Sequence, residues 1–250
     1  MPLGLVALVE PVWGWSVRIP LASVSGASLP LPPPSTVVGA LLYGAASSLG
    51  VGEQLEVGGF LTRWLSRVSR LVLSATAGLV EGVIVTAYDT LRASNVPYLR
   101  PENLNDPSQW FTVTGFGVTV AHGSRLCLAA VLDDRVLDLV GRKVLEASAW
   151  SASRIGSKEG LASVVEAGVY EAQPLGGERF ETILYAGEGY AEGGHPATVW
   201  VAEGGSYRLV RVRLALEKTG PVYRPAVIVA RGGWLLRDAP PECRLVPRVW

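Results

Sequence analysis

The chain has 250 residues, of which 49% are hydrophobic and 18% charged, and its 22 basic residues balance its 22 acidic residues. This composition excludes a disordered chain and supplies enough apolar side chains for one large or two small domains. A net charge of zero excludes the global positive field that attracts nucleic acids, so binding of an anion would depend on local groups.

Two sequence patterns bear on the location of the protein. No uncharged apolar run approaches the roughly 18–20 residues that cross a bilayer, and the N-terminal residues do not follow the pattern of a signal peptide. We therefore expect a cytoplasmic protein without membrane contact.

Cys127 and Cys243 form no framework or ligand cluster, and we interpret them as small buried hydrophobic side chains. The low counts of Asn, Gln and Met favour a thermophilic source.

Runs of strand type and of helical periodicity alternate over the first 170 residues or so. The predicted strands are residues 3–10, 82–88, 125–132 and 161–170. The predicted helices are residues 36–49, with Ser35 as the N-cap, 59–73 and 135–150. The order strand, helix, strand, strand, helix, strand predicts an α+β, ferredoxin-like (RRM-like) domain over residues 1–172. A hairpin-containing insertion at about 89–124 separates the second and third strands, and residues 173–250 are predicted to form a β-rich C-terminal region.

The predicted topology brings distant loops together. Ferredoxin-like strands are antiparallel and lie in the order four, one, three, two, so residues 11–35, 89–124 and 151–160 should meet at one end of the domain. The amides that follow Ser35, at Thr36, Val37 and Val38, would make the helix start a phosphate receptor. The other groups predicted at this end are the loop residues Arg154, Gly156, Ser157 and Lys158 and the cations Arg18 and Arg92. Each feature alone is typical of a helix start or a surface turn, but together they favour RNA or phosphate binding.

Two motifs carry a resemblance to a known family. Residues 28–41 (SLPLPPPSTVVGAL), which follow Arg18-Ile19-Pro20, resemble the N-terminal signature of the Cas-five (Cas5) family of CRISPR-associated RAMP proteins. Residues 154–164 (RIGSKEGLASV) are similar to a later motif of the archaeal, type I-A branch. With the order of the elements between them, the resemblance extends over roughly residues 1–170.

The resemblance implies a role in antiviral defence. A Cas5 subunit caps one end of the surveillance complex Cascade and holds the repeat-derived 5′ handle of the CRISPR RNA (crRNA), with a thumb-like hairpin between strands two and three folded over the RNA. Its partners are the Cas-seven backbone subunit and the large subunit, with the small subunit and the helicase-nuclease as further candidates. Matched motif by motif, the implied handle contacts are Arg18, Ser35, Thr36, Arg154, Gly156, Ser157 and Lys158.

Two alternative functions stay open. A type I-C branch of this family is a metal-independent endoribonuclease, and His122, with Tyr88 or Lys158, could supply its acid and base at the predicted edge. A protein-interaction scaffold without RNA contact could instead use the basic residues 206–250, where nine basic residues outnumber three acidic ones. A lone histidine in a turn is more often an ordinary polar residue than a catalytic one, so we expect a non-catalytic protein. The chain also lacks zinc-ligand spacings and nucleotide-binding loops, so we expect neither a metal nor a cofactor.

Overall fold

The structure is a computed structural model that describes residues 1–22, 26–50, 67–94, 111–156 and 160–250, with the backbone alone for residues 89–94 and 111–115. The elements up to residue 174 are, in chain order, β1 (Leu3–Pro11), β2 (Gly14–Trp15), α1 (Pro34–Ser48), β3 (Val72–Glu81), β4 (Ile84–Ser94), β5 (Phe111–Val120), β6 (Arg125–Leu132), α2 (Val136–Leu139), α3 (Arg142–Trp150) and β7 (Ala162–Pro174).

The remainder of the chain is rich in short strands, as predicted. They are β8 (Arg179–Thr182), β9 (Ala186–Gly187), β10 (Ala191–Glu192), β11 (His195–Glu203), β12 (Ser206–Leu214), β13 (Leu216–Thr219), β14 (Val222–Pro225), β15 (Ile228–Arg231), β16 (Gly233–Leu236) and β17 (Leu245–Pro247). Short 3-10 turns occupy Glu188–Tyr190 and Pro241–Cys243.

A six-stranded sheet in the order β17-β16-β7-β1-β6-β3 forms the centre of the fold. Its four strands β7, β1, β6 and β3 pair antiparallel, with Ala7 opposite Ala167 on one side and opposite Leu128 on the other. The predicted strands four, one and three are therefore neighbours in the predicted order, as β7, β1 and β6. Strands β16 and β17, from the C-terminal part of the chain, extend this sheet sideways, with β16 paired to the last residues of β7.

The second strand of this sheet was assigned to the wrong residues. Its position is occupied by β3 (Val72–Glu81), whereas the predicted residues 82–88 turn at Gly82 (φ +90°) and enter β4. Because β3 is buried on both faces, it lacks the alternation that identifies a half-exposed strand. Its first residues were therefore assigned to a helix over 59–73, most of which lies outside the described residues.

The helices pack on one face of the sheet. Leu5 and Ala7 of β1 belong to the same buried core as Leu41 of α1 and Leu145 of α3. The Ser148 hydroxyl joins the two helices, since it donates to the Leu41 carbonyl at 2.8 Å and accepts the Ala45 N–H at 2.9 Å. The single helix predicted over residues 135–150 is in fact two helices, because the chain is extended at Val140 and Gly141. Within the described part of the chain, no helix is long and apolar enough to cross a membrane.

The opposite face of the sheet is covered by the C-terminal part of the chain. Val6 and Leu8, whose side chains alternate with those of Leu5 and Ala7, are buried against Trp234, Leu236 and Val246. Both faces of the sheet are therefore buried. A ligand could contact this sheet only at its ends and edges.

The interpretation of the cysteines as separate hydrophobic side chains is wrong. Cys127 in β6 and Cys243 after β16 form a disulfide, although 116 positions separate them. Both residues are fully buried in the core on this second face of the sheet. The cross-link holds the C-terminal segment on the sheet, and no local spacing in the sequence could have indicated it.

A long hairpin projects from a second sheet. Strands β4 and β5 pair antiparallel from Val85 opposite Val120 to Ser94 opposite Phe111, in the order β13-β14-β4-β5-β2. Only the base of the hairpin is flanked by other strands among the described residues, by β14 at Ile84 and Val85 and by β2 next to Val120. The hairpin lies in the predicted insertion but begins earlier, at Ile84.

Candidate nucleic-acid interface

The three predicted loop segments meet at one end of the main sheet. The last residue of β1, Pro11, pairs with the first residue of β7, Ala162. Beyond this pair the Val12 N–H donates to the Leu161 carbonyl at 2.9 Å, and the Ala121 N–H donates to the Trp13 carbonyl at 2.8 Å. Segments 11–35 and 89–124 are therefore hydrogen-bonded to each other, and segment 151–160 ends next to them, directly before Leu161.

The start of α1 lies at this end, but Ser35 does not cap it. The N-cap is Pro33, and the carbonyl of Pro33 accepts the N–H groups of Thr36 at 2.9 Å and Val37 at 3.0 Å. Pro34 suits the first helical position because its φ is fixed and it has no N–H to satisfy. The Thr36 and Val37 amides, which were predicted to be free, are therefore already hydrogen-bonded. In the first turn the Ser35 N–H has no acceptor within the helix. The side chains of Ser35 and Thr36 are half-buried.

Gly156 brings the second motif against the first. It adopts φ +68°, and a Cβ placed on it would lie 2.5 Å from Cγ2 of Val17 and 3.8 Å from Cγ2 of Thr36. A side chain at this position would be both strained and crowded. The loop is anchored by Ile155, which is buried and donates its N–H to the Gly160 carbonyl at 2.7 Å. Arg154 beside it is exposed, whereas Ser157 and Lys158 lie outside the described residues.

Residues 14–29 connect these two motifs with the hairpin. The Val17 N–H donates to the Ser28 hydroxyl at 3.1 Å, and Arg18 forms an isolated bridge with Ser28. The Thr119 hydroxyl of β5 donates to the Leu29 carbonyl at 2.8 Å and lies 2.9 Å from the Ser28 hydroxyl. The base of the hairpin is thus fixed to the segment that leads into α1.

Gly117 makes this connection possible. Its N–H donates to the Gly26 carbonyl at 3.0 Å, and the position of a Cβ is taken by the backbone of Ala27 and Ser28. The Ser16 hydroxyl, from the first part of the same 14–29 segment, donates to the Gly117 carbonyl at 2.7 Å. Gly117 was not among the predicted site residues, because a glycine in a strand is an ambiguous signal until the backbone that approaches it is known.

Arg18 and Arg154 provide uncompensated positive charge at this edge. Both are exposed, and neither has a carboxylate within ion-pair distance among the described residues. Four of the nine basic residues of 206–250 are instead paired: Arg208 with Glu203, Arg211 and Arg213 with Glu188, and Arg231 with Glu192. The basic surplus of residues 206–250 is therefore only partly balanced by acids, whereas Arg18 and Arg154 have no acidic partner in the described ranges.

Arg92 contributes from a different position. It lies in β4 opposite Val113, further out along the hairpin than the residues fixed to the 14–29 segment. The structure therefore places it on the hairpin and not among the residues around Thr36 and Gly156.

The second face of the main sheet is closed to bases. RRM-like domains bind RNA on the sheet face that their helices leave open, where aromatic side chains stack on bases. In this chain that face is covered by the residues around Trp234 and by the disulfide. RNA bound by this domain must therefore use its edge and loops.

Tyr185 supports the helix start from the C-terminal part of the chain. Its buried hydroxyl donates to the Pro32 carbonyl at 3.1 Å, and the Thr76 hydroxyl of β3 donates to the Tyr185 carbonyl at 2.6 Å. Burial raises the pKa of the Tyr185 phenol well above its usual value, so the hydroxyl keeps its proton and remains a donor. The sequence carries no signal for this contact, because it joins residues 153 positions apart.

The histidines lie in different surroundings. His122 is exposed at the edge, and its Nδ1 lies 2.9 Å from the Val12 carbonyl. Because a carbonyl can only accept, Nδ1 carries a proton in this contact. His195 packs edge-on against Tyr223 away from this edge, and burial together with the Lys218 charge lowers its pKa. No group of three His, Cys, Asp or Glu side chains within the described ranges could hold a metal ion.

Comparison of this structure with solved structures first shows the class of protein to which the fold belongs. The chain superposes over 92% of its length on 99% of a CRISPR protein from Archaeoglobus fulgidus, with a TM-score of 0.54 and 18% sequence identity. The fold is therefore one found among CRISPR-associated proteins. No protein-family profile matches the sequence.

Sequence relatives then identify the family. The chain is 31% identical over 176 residues to the CRISPR system aCascade subunit Cas5 1 of Saccharolobus solfataricus, which covers 69% of this chain and 67% of that protein. It is 27% identical over 175 residues to the CRISPR-associated protein Cas5 2 of the same organism, where the match spans 64% of the relative's length. The chain belongs to the Cas5 family of CRISPR-associated proteins.

Proposed function

We propose that this chain is the crRNA-binding subunit of a type I-A CRISPR surveillance complex, in which it holds the repeat-derived 5′ handle of the crRNA without catalysis. One observation carries the proposal: the two motif segments of the sequence meet at one edge, where Gly156 lies against Thr36 and Val17. A Cas5 relative is named as a subunit of aCascade, which supports the same role for this chain.

The groups at this edge suit an RNA backbone. Arg18 and Arg154 supply exposed guanidinium groups that bind phosphate bidentately. The Ser35 N–H and the hydroxyls of Ser35 and Thr36 supply neutral donors at the positive end of α1. Gly156, without a side chain, lets the loop of the second motif pack against Val17 and Thr36, next to these donors.

The proposal assigns the larger elements as well. Residues 1–172 form a ferredoxin-like RAMP domain, and the β4–β5 hairpin is its thumb, folded over the handle. Arg92, on that hairpin, contacts the RNA further along its length. The complex places this chain at one end of the Cas-seven backbone, next to the large subunit, with the small subunit and the helicase-nuclease as further partners, in the cytoplasm of a thermophile. An intracellular disulfide is consistent with such a source.

The cations of the second motif provide the direct test. Replacing Arg154 and Lys158 with alanine should weaken retention of handle RNA, because each removed cation releases one phosphate contact. If each cation neutralises one phosphate, the slope of log affinity against log salt should fall in magnitude by about 1.4. The measurement is a salt titration of the assembled complex with end-labelled repeat-derived RNA.

A matched control removes the same two side-chain types far from the edge. Lys143, at the start of α3, and Arg237, whose N–H bonds to the Glu171 carbonyl near the opposite end of the sheet, are both exposed. Their double alanine variant should retain RNA like the wild type. Equal losses in the two variants would indicate a general charge effect and contradict the proposed handle site.

The non-catalytic part of the proposal has its own test. Cleavage of RNA needs a base near the 2′-hydroxyl and an acid near the leaving oxygen. His122 alone presents an imidazole at this edge among the described residues. We expect repeat RNA incubated with the purified chain in EDTA to stay intact, for the wild type and for His122→Ala alike. A single cut by the wild type that disappears in His122→Ala would instead establish a processing endoribonuclease.

A further inference from the structure

Tyr88 is the most exposed aromatic residue in the described part of the chain. Its exposed fraction is 68%, compared with 54% for Tyr43 on α1. The described residues provide no hydrogen bond or ring contact for it. A single exposed ring is common on protein surfaces. Its position on a strand beside the candidate edge is what makes Tyr88 a candidate contact, because burial of the ring by a ligand would be favourable.

The register of the hairpin places Tyr88 beside the candidate edge. Tyr88 lies opposite Gly117, and Thr86 lies opposite Thr119. These four residues share one face of the hairpin, since side chains alternate along each strand. The Thr119 hydroxyl on that face binds the Leu29 carbonyl, so the face is turned toward the 14–29 segment.

The residue opposite Tyr88 on the neighbouring strand is Gly117, so Tyr88 has backbone and no side chain beside it there. Gly117 has no side chain, and the place of its Cβ is taken by the backbone of Ala27 and Ser28. Ser28 is bridged to Arg18, whose side chain is exposed. The surroundings of Tyr88 are therefore the polar backbone of residues 27–28 and the cation Arg18. These surroundings suit a nucleic acid better than they suit the apolar side chains of a protein partner.

We propose that Tyr88 is a base-stacking residue of this edge, which binds a nucleobase of the RNA whose phosphates contact Arg18 and the start of α1. The inference rests on the proposed function and deepens it by assigning a base contact. Stacking needs only the flat ring, so the hydroxyl has no part in it. Every base has a π-face, so the contact adds affinity without selecting a sequence.

The experiment uses the full-length chain in its complex and repeat-derived RNA with 2-aminopurine at successive handle positions. Stacking quenches the fluorescence of this base, so the wild type should quench it at one position. Tyr88→Ala should lose the quenching and weaken binding about fivefold to a hundredfold, the range observed when one stacked base is lost. Tyr88→Phe should behave like the wild type, and Tyr43→Ala, which removes an exposed tyrosine from α1, serves as the matched control.

The outcomes separate the two proposals. If the wild type retains the RNA but Tyr88→Ala quenches 2-aminopurine as the wild type does, the stacking role is wrong and the handle-binding function stands. If Tyr88→Phe fails like Tyr88→Ala, the hydroxyl is the active group and stacking is overturned. If the wild type neither retains the RNA nor quenches at any position, the proposed function fails and the inference fails with it.

Discussion

Removal of the Cys127–Cys243 cross-link should lower the free energy of unfolding by about 2–5 kcal/mol, because it frees a loop of 116 residues in the unfolded chain. For a chain of this size, that loss corresponds to a fall in Tm of roughly 4–20 °C. The double variant Cys127→Ala/Cys243→Ala and the oxidised wild type should be compared by calorimetry. Mass spectrometry of the unfolded, unreduced wild type should find no free thiol.

A control is needed because the variant also removes two buried sulfur atoms. The wild type unfolded and refolded in reductant keeps both sulfurs and lacks only the bond. Its Tm should fall by most of the amount measured for the double variant. A reduced wild type as stable as the oxidised one would show that the bond contributes nothing, and that the loss in the variant comes from packing alone.

Gly117→Ala should weaken both the fold and the retention of RNA. The new methyl group would lie 2.6 Å from Cα of Ala27 and still closer to the backbone nitrogen of Ser28, so the 26–28 backbone must move away from β5. Crowding of this kind costs about 1–3 kcal/mol. Because Ser28 also holds Val17 and Thr119, the displacement should spread to the segment between Arg18 and α1. Thermal unfolding and RNA retention in the complex measure the two effects.

Gly189→Ala is the matched control for this prediction. Gly189 lies in a 3-10 turn of the C-terminal part, and a Cβ there would have no atom within 4 Å. The variant should be within about 0.5 kcal/mol of the wild type and should retain RNA equally well. If Gly117→Ala keeps the stability and RNA retention of the control, the 14–29 segment is not held on the hairpin in the way the structure indicates.

Several elements followed from local sequence patterns. The apolar runs of β1 and β6 were predicted almost at their observed bounds, because period and composition are properties of neighbouring residues. The order of β7, β1 and β6 followed from the order of elements along the chain, since few antiparallel arrangements satisfy short connections. The meeting of the Thr36 and Gly156 segments followed in turn from that order.

The errors arose where distant residues decide the local structure. β3 lacks alternation because the C-terminal part buries it from the second face, with the Ser74 hydroxyl bonded to the Pro247 carbonyl. Ser35 has the side chain of an N-cap, but the prolines before it start the helix two residues earlier, and the Tyr185 hydroxyl holds the Pro32 carbonyl among them. In both cases a contact with the C-terminal part of the chain accompanies the departure from the local preference.

The sequence by itself determined the class of fold, the end of the sheet where the motifs meet and the kind of groups found there. The tertiary structure decided which groups are free to act. It bonds the Thr36 and Val37 amides to Pro33, pairs Arg213 and Arg231 with acids and leaves Arg18 and Arg154 without a carboxylate in the described ranges. It also joins Cys127 to Cys243 and sets Tyr88 beside the 26–28 backbone. The physical reason is distance along the chain: a pattern reports neighbours in sequence, whereas ion pairing, burial and cross-links depend on residues that only folding brings together.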